Sequence, residues 1–136
     1  MNKLNKSISL YSAVFVLVPF LSLSQDLDAV NTKIKQAAKA IMTSTETCAL
    51  ITLDEEGRAR VRAMEPLPPE SDFTVWFGTN PKSRKVEQIK KDPRVTLYYL
   101  EGDASGYVMI QGVAQIVDDQ KEKDARWKVE WEAFYA

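Results

Sequence analysis

Short connections between β-like segments constrain the fold of this chain more than any other feature. The segments "TCALITLD" and "RARVRAM" are separated by the turn signal "EEG", and "RVTLYYL" reaches "YVMIQGVAQIV" through "EGDASG". Antiparallel strands can be joined by such turns, whereas parallel strands need crossover connections of a dozen or more residues. With "FTVWFG" as a further strand, the sequence predicts a mostly antiparallel sheet curled into a small barrel and argues against a doubly wound parallel fold.

Three predicted helices accompany these strands. The first runs from Asp26 to Met42, and its apolar residues recur at helical spacing: Leu27, Val30, Ile34, Ala38 and Ile41. The second begins at Pro81 behind a cap at Asn80 or Thr79, and it stops at Asp92. The third follows a cap at Asp118 or Asp119 and carries three aromatic residues: Trp127, Trp131 and Phe134.

Composition excludes several classes of function. The chain has 18 Lys and Arg against 19 Asp and Glu, so it lacks the positive charge typical of nucleic-acid-binding proteins. It contains no histidine, which excludes Ser-His and Cys-His catalysis and the usual zinc sites. Its one cysteine, Cys48, lies in an apolar strand and is expected to be a small buried residue.

The N-terminus has the pattern of a secretory signal peptide. Lys3 and Lys6 precede the apolar run "ISLYSAVFVLVPFLSL", and small residues stand before Gln25. We therefore expect residues 1–24 to be a signal peptide and residues 25–136 to be the mature, exported domain, periplasmic or secreted. An uncleaved membrane anchor is the alternative, although the run is short for a bilayer.

Two groups of cations need an explanation. In "GRARVRAM" the alternation places Arg58, Arg60 and Arg62 on one strand face, which is either a solvated edge or the wall of a cleft, and the small apolar face is expected in the core. At the start of the second helix, Lys82, Arg84 and Lys85 lie near the positive pole of the helix dipole. Either these side chains extend into solvent, or an anion such as phosphate binds there.

Four motifs in order resemble one known family. They are "GRARVRAM" at 57–64, "WFGTNPKSRK" at 76–85, "DPRV" at 92–95 and "YVMIQG" at 107–112. From about Met42 onward, the chain is similar to the pyridoxamine 5'-phosphate oxidase family, and in particular to its general stress protein branch. The resemblance implies a mostly β, α+β fold: an antiparallel FMN-binding split β-barrel with peripheral helices.

The resemblance also implies a cofactor site. Arg62, Ser83, Arg84 and Lys85 match family positions that hold the flavin phosphate, and Ala63, Met64 and Glu65 would run beside the ring system. Thr79 and Tyr107 match further polar positions near the cofactor. Trp76 and Tyr107 either face the ring or serve as core or interface aromatics. FMN is the expected cofactor, with a deazaflavin as the alternative, and the flavin would lie between the subunits of a homodimer.

The chain also departs from the family pattern, and it has no counterpart of the substrate-binding Arg and His near the C-terminus of true pyridoxamine phosphate oxidases. Leu67 stands where many members have a phosphate-strand lysine, and the sequence ends where members continue into further strands, so we expect the last barrel strands to be missing. Three functions stay open: a flavin-dependent oxidoreductase of unknown small-molecule substrate, a non-catalytic flavin-binding stress protein, and a split-barrel remnant that binds no cofactor.

Overall fold

A computed structural model describes the backbone of residues 21–135 and the side chains of residues 27–133. Its helices and strands follow in chain order: α1 (Leu21–Ser44), β1 (Cys48–Leu53), β2 (Ala59–Met64), α2 (Arg84–Lys91), β3 (Arg94–Leu100), β4 (Tyr107–Val113), α3 (Gln120–Arg126), a 3-10 turn (Val129–Trp131) and α4 (Glu132–Tyr135). The four strands form one antiparallel sheet in the order β2-β1-β3-β4. The expected α+β antiparallel fold is confirmed, and within the described residues the sheet stays open.

The β1–β2 hairpin forms as expected, with Cys48 opposite Met64 and Leu53 opposite Ala59. Its turn requires a positive φ, which Gly57 supplies at 73°. The Asp54 carboxylate accepts hydrogen bonds from Arg58 and Arg60, so these two arginines are held at the turn end of β2.

One face of the sheet, the inner face, carries the core. Cys48, Leu50, Leu97 and Tyr99 are buried there together with Met42 at the end of α1. Because register partners share a face, Arg62, opposite Leu50, points to the inner side with Met64. The expectation that Ala59, Val61 and Ala63 would enter the core is wrong: these residues are exposed, Val61 by 65%.

The opposite face, the open face, lacks a cover among the described residues. It exposes large apolar side chains from both edge strands and from β3: Val61, Leu100, Tyr107, Met109 and Val113. Tyr98 lies on the same face and stacks on Tyr107 with ring centroids 5.7 Å apart.

The segment "FTVWFG" is not a strand of the sheet. It pairs with the proline-rich loop "EPLPPESD" at 65–72 through one isolated bridge, Pro66 to Phe77, and a few backbone hydrogen bonds. Every second side chain of the segment nevertheless faces inward, since Phe73, Val75 and Phe77 pack against the core. Phe73 has a φ of 70°, which interrupts an extended conformation at the start of the segment.

Helix α1 extends beyond its expected limits and packs only near its C-terminal end. Ile41 and Met42 contact the core, whereas Leu27, Val30 and Ile34, expected to face inward, are more than half exposed. The expected signal peptide, residues 1–24, lies outside the described residues except for its last four, which begin α1. Within residues 21–135, no helix combines the length and apolar content needed to cross a membrane.

The C-terminal segment is divided into short helices. Asp119 caps α3: its side chain accepts a hydrogen bond from the backbone N–H of Glu122. Asp119 is one of the two residues predicted for this cap. The helix ends at Arg126, so the predicted single helix carrying Trp127, Trp131 and Phe134 is wrong. Strand β4 likewise ends at Val113, earlier than the apolar run suggested.

Candidate functional site

The site is built around the start of α2, which begins at Arg84. The expected cap at Asn80 or Thr79 is wrong, because Asn80 instead forms a turn by accepting from the backbone N–H groups of Lys82 and Ser83. Ser83 takes the cap position, yet its hydroxyl makes no capping hydrogen bond. The first N–H groups of a helix have no intrahelical acceptor, so this end can donate to a ligand.

Arg62 reaches this helix from β2. Its Nη2 donates to the Oε1 atom of Gln88 at 3.0 Å, while its Nη1 is buried without a hydrogen-bond partner. Burial lowers the pKa of Arg62, and the charge of Arg84 lowers it further. A buried guanidinium nitrogen without an acceptor is costly, and an anion would supply the missing acceptor.

Lys85 stands next to the same arginine. Burial lowers the pKa of Lys85, and the positive charge of Arg62 adds to that effect. Arg62, Arg84 and Lys85 therefore form one cation cluster in which the charges repel each other. Lys82 is exposed in the preceding turn, outside this cluster.

The two predicted hydroxyl residues also meet at this point. Thr79 Oγ1 lies 3.5 Å from Ser83 Oγ, and both residues are half-buried. Together with the cation cluster they give the helix end hydroxyl and charged donors, the combination that suits a phosphate.

A pocket of about 160 Å³ opens beside the cluster. Its lining brings together four of the residues predicted to contact a cofactor, along with two from elsewhere in the chain: Ala63, Met64, Glu65, Lys85, Gly78 and Trp131. The indole of Trp131 packs tightly over Gly78, where an added Cβ would come within 3.1 Å of the ring. The C-terminal segment thus forms one wall of the pocket.

Glu65 connects the pocket to that segment through a salt bridge with Lys128. The hydrogen bond from Lys128 holds the pKa of Glu65 below its usual range. The same pair lies at the edge of a larger groove of about 430 Å³ between the α1–β1 connection and the proline-rich loop. Glu65 is therefore held as a carboxylate at the junction of the two cavities.

Tyr107 does not join the site within one chain. It lies on β4, at the sheet edge opposite β2, so about three strand spacings, roughly 14 Å, separate its strand from Arg62. Trp76 is also turned away: its indole N–H donates to Glu70, and the Arg126 guanidinium stacks on its ring at 3.6 Å. Within one chain these contacts of Trp76 are structural ones.

Sequence reasoning assigned no role to Gln88 or Lys128. A lone glutamine in a helix carries no motif, and its contact with Arg62 depends on how α2 lies on the sheet. Lys128 is more than sixty positions from Glu65 in the chain, so only the fold brings the two together.

Comparisons with known proteins agree with this architecture. The family model for proteins described as "Pyridoxamine 5'-phosphate oxidase like" matches residues 32–136. A solved protein from Clostridium acetobutylicum, related to general stress protein 26 of B. subtilis, is 25% identical, with a TM-score of 0.68 over 76% of this chain and 72% of that chain. General stress protein 26 from Bacillus anthracis is 21% identical, with a TM-score of 0.64 over 74% and 75%. No curated protein sequence gives a significant match.

Proposed function

The chain belongs to the pyridoxamine 5'-phosphate oxidase-like family, and from this premise we propose that it binds FMN and acts as a flavin-dependent oxidoreductase on a small molecule. The observation that carries the proposal is the buried, unpartnered Nη1 of Arg62 beside Lys85 at the start of α2. If no anion bound here, an acceptor from the protein for this nitrogen would make the folded chain more stable. The flavin phosphate supplies both the acceptor and the compensating charge.

We expect different residues of the chain to contact the phosphate and the ring system of FMN. Arg62, Arg84, Lys85 and the hydroxyls of Thr79 and Ser83 would hold the phosphate. Ala63, Met64 and Glu65 line the adjoining pocket, and Trp131 covers it and limits the access of water. FMN, when bound, supplies the two-electron chemistry, and the protein supplies orientation and electrostatics.

A homodimer completes this site. The pocket of about 160 Å³ is smaller than the ligand pockets of about 300–1,000 Å³ usual in proteins, so one chain offers only part of the enclosure. The open face exposes the apolar side chains of Tyr107, Met109 and Val113 along β4, which favours burial against a second copy. Tyr107, remote from Arg62 in its own chain, would then contribute to its partner's site.

A non-catalytic flavin-binding protein is the second candidate. It is favoured by the state of Glu65, the carboxylate of the pocket, which is paired with Lys128 and has a lowered pKa. A carboxylate held in this way is a poor proton donor near neutral pH. The protein would then store or carry the flavin without turnover.

An absorption spectrum and a flavin titration of the full-length protein test the proposal. We expect flavin absorbance that survives desalting, quenching of FMN fluorescence on binding, and weaker binding of riboflavin, which lacks the phosphate. A deazaflavin would be recognised by its different spectrum. Absence of binding for all three contradicts the proposal, and bound FMN that no reductant and acceptor can turn over favours the non-catalytic candidate.

A further inference from the structure

Gln88 makes the contact that fixes Arg62. Its Oε1 accepts two hydrogen bonds, from Thr52 Oγ1 at 2.7 Å and from Arg62 Nη2 at 3.0 Å. Arginine is a donor only, so the amide oxygen and not the amide nitrogen must face it. Thr52 is fully buried in β1, which makes it a rigid anchor for the Gln88 amide.

The position of Gln88 links the two parts of the cation cluster. It lies four residues after Arg84, so both stand on the same side of α2, and Ile89 beside it is buried against the sheet. The contact Thr52–Gln88–Arg62 therefore joins β1, α2 and β2 at one point. Any rotation of the Arg62 guanidinium away from α2 would break it.

The acceptor is neutral, and this matters for an anion site. A glutamate at the same place would accept the same two hydrogen bonds, but it would also neutralise Arg62. An ion pair at that position would stabilise the free protein by removing repulsion within the cluster. An amide orients the guanidinium and leaves its charge available to a ligand.

We propose that Gln88 is a positioning residue that holds Arg62 toward the anion site without compensating its charge. This inference rests on the proposed function, since the anion is taken to be the FMN phosphate. It goes beyond that function by assigning the orientation of Arg62 to a residue that need not touch the ligand.

The diagnostic substitution is Gln88→Glu, with Gln36→Glu on the exposed surface of α1 as the control for added negative charge. Titrations with FMN, riboflavin and inorganic phosphate follow binding, and thermal unfolding without ligand follows stability. We expect Gln88→Glu to weaken FMN binding about tenfold or more, as loss of one charge-assisted contact would. The Tm of this variant without ligand should equal or exceed that of the wild type. A purely structural role for Gln88 predicts instead that FMN binding is unchanged.

A second variant removes the acceptor itself. In Gln88→Met, which keeps the length of the side chain, the Arg62 Nη–H signals in a ¹H–¹⁵N spectrum of the ligand-free protein should broaden and exchange faster than in the wild type. Signals as well protected as in the wild type overturn the inference. This measurement does not depend on which ligand the site takes.

The outcomes separate the two proposals. If Gln88→Glu binds FMN and inorganic phosphate as tightly as the wild type, the role of Gln88 is overturned and FMN binding stands. If the wild type ignores FMN but inorganic phosphate raises its Tm, and Gln88→Glu loses that rise, the role of Gln88 stands and the choice of FMN is wrong. A wild type that responds to neither probe overturns both.

Discussion

The Arg62 guanidinium lies close enough to Lys85 for its charge to lower the pKa of the lysine, which burial already lowers. In the free protein Lys85 thus loses its proton below the ordinary value of 10.5. A bound phosphate reverses the effect, because it stabilises the ammonium and raises its pKa. The two residues therefore couple ligand binding to protonation.

This coupling predicts a pH dependence of affinity. As pH rises through the lowered pKa of free Lys85, binding must first restore the proton, so FMN affinity should fall and each binding event should take up protons. Titration calorimetry in buffers of different ionisation enthalpy measures that uptake. In Lys85→Arg the guanidinium stays protonated, so the uptake assigned to Lys85 should vanish; equal uptake in both proteins would contradict the coupling.

Removing two cations from the start of α2 should weaken FMN binding specifically. Each charge-assisted contact with phosphate contributes about 1.5–3 kcal/mol, so Arg84→Ala with Lys85→Ala should lose much of the FMN affinity while riboflavin binding changes little. Fluorescence titration compares the two ligands. The matched control is Lys90→Ala with Lys91→Ala at the other end of the same helix, and a similar loss there would point to general electrostatics.

The Glu65–Lys128 salt bridge should break in acid. Because the hydrogen bond from Lys128 lowers the pKa of Glu65, the bridge contributes stability above the usual glutamate value of 4.5 and loses it as pH falls through the lowered pKa. We expect a change in tryptophan fluorescence over that range. Glu65→Gln should lack the transition, and Glu46→Gln, at an exposed position, should keep it.

Gly78→Ala should destabilise the wall formed by Trp131. An added Cβ would lie 3.1 Å from the indole, which must shift to accommodate it, and overpacking of this kind costs about 1–3 kcal/mol. Urea unfolding followed by tryptophan fluorescence gives the change in unfolding free energy. Gly102→Ala has open space around it and should change the stability little; equal effects would mean that the indole is not held against Gly78.

A charge on the open face should separate the proposed dimer. Met109 is 57% exposed there, and Met109→Lys would place an ammonium in the middle of the apolar surface. Analytical ultracentrifugation should show a dimer for the wild type and a monomer for this variant. Val129→Lys, at an apolar side chain exposed outside that face, should remain dimeric. A monomeric wild type would refute the dimer directly.

The sequence predicts the local structure well because turns and alternation are local signals. The β1–β2 hairpin, β3 and the inward side of α2 at Val86 and Ile89 are all found. The predicted burial of the two faces of β2 is the reverse of the observed one. Alternation separates two faces of a strand, but it does not reveal which face α2 will cover. Arg62 is half-buried on the inner face while small Ala63 is exposed on the other, an arrangement that side-chain polarity alone disfavours.

Contacts between residues far apart in the chain could not be predicted from the sequence, for a different reason. Sheet order places β1 next to β3, and that order puts Tyr107 at the edge opposite Arg62. The sequence places Ser83, Arg84 and Lys85 together because they are adjacent in the chain. The contacts of Gln88 and Lys128 and the pocket wall at Trp131 depend on tertiary packing instead. Of the predicted cofactor positions, Ala63, Met64 and Glu65 at the end of β2 and Lys85 on α2 line the same pocket.

Ser83 occupies the cap position of α2 without a capping hydrogen bond from its own side chain. A helix that starts this way, with two cations ahead of Glu87 in its first turn, gains less from its N-terminus than a capped helix does. Local opening in proteins favours such weakly secured segments over central strands such as β1. We therefore expect the N-terminal end of α2, the part of the chain best suited to recognise an anion, to become more ordered when an anion binds, so that recognition and local order depend on the same few residues.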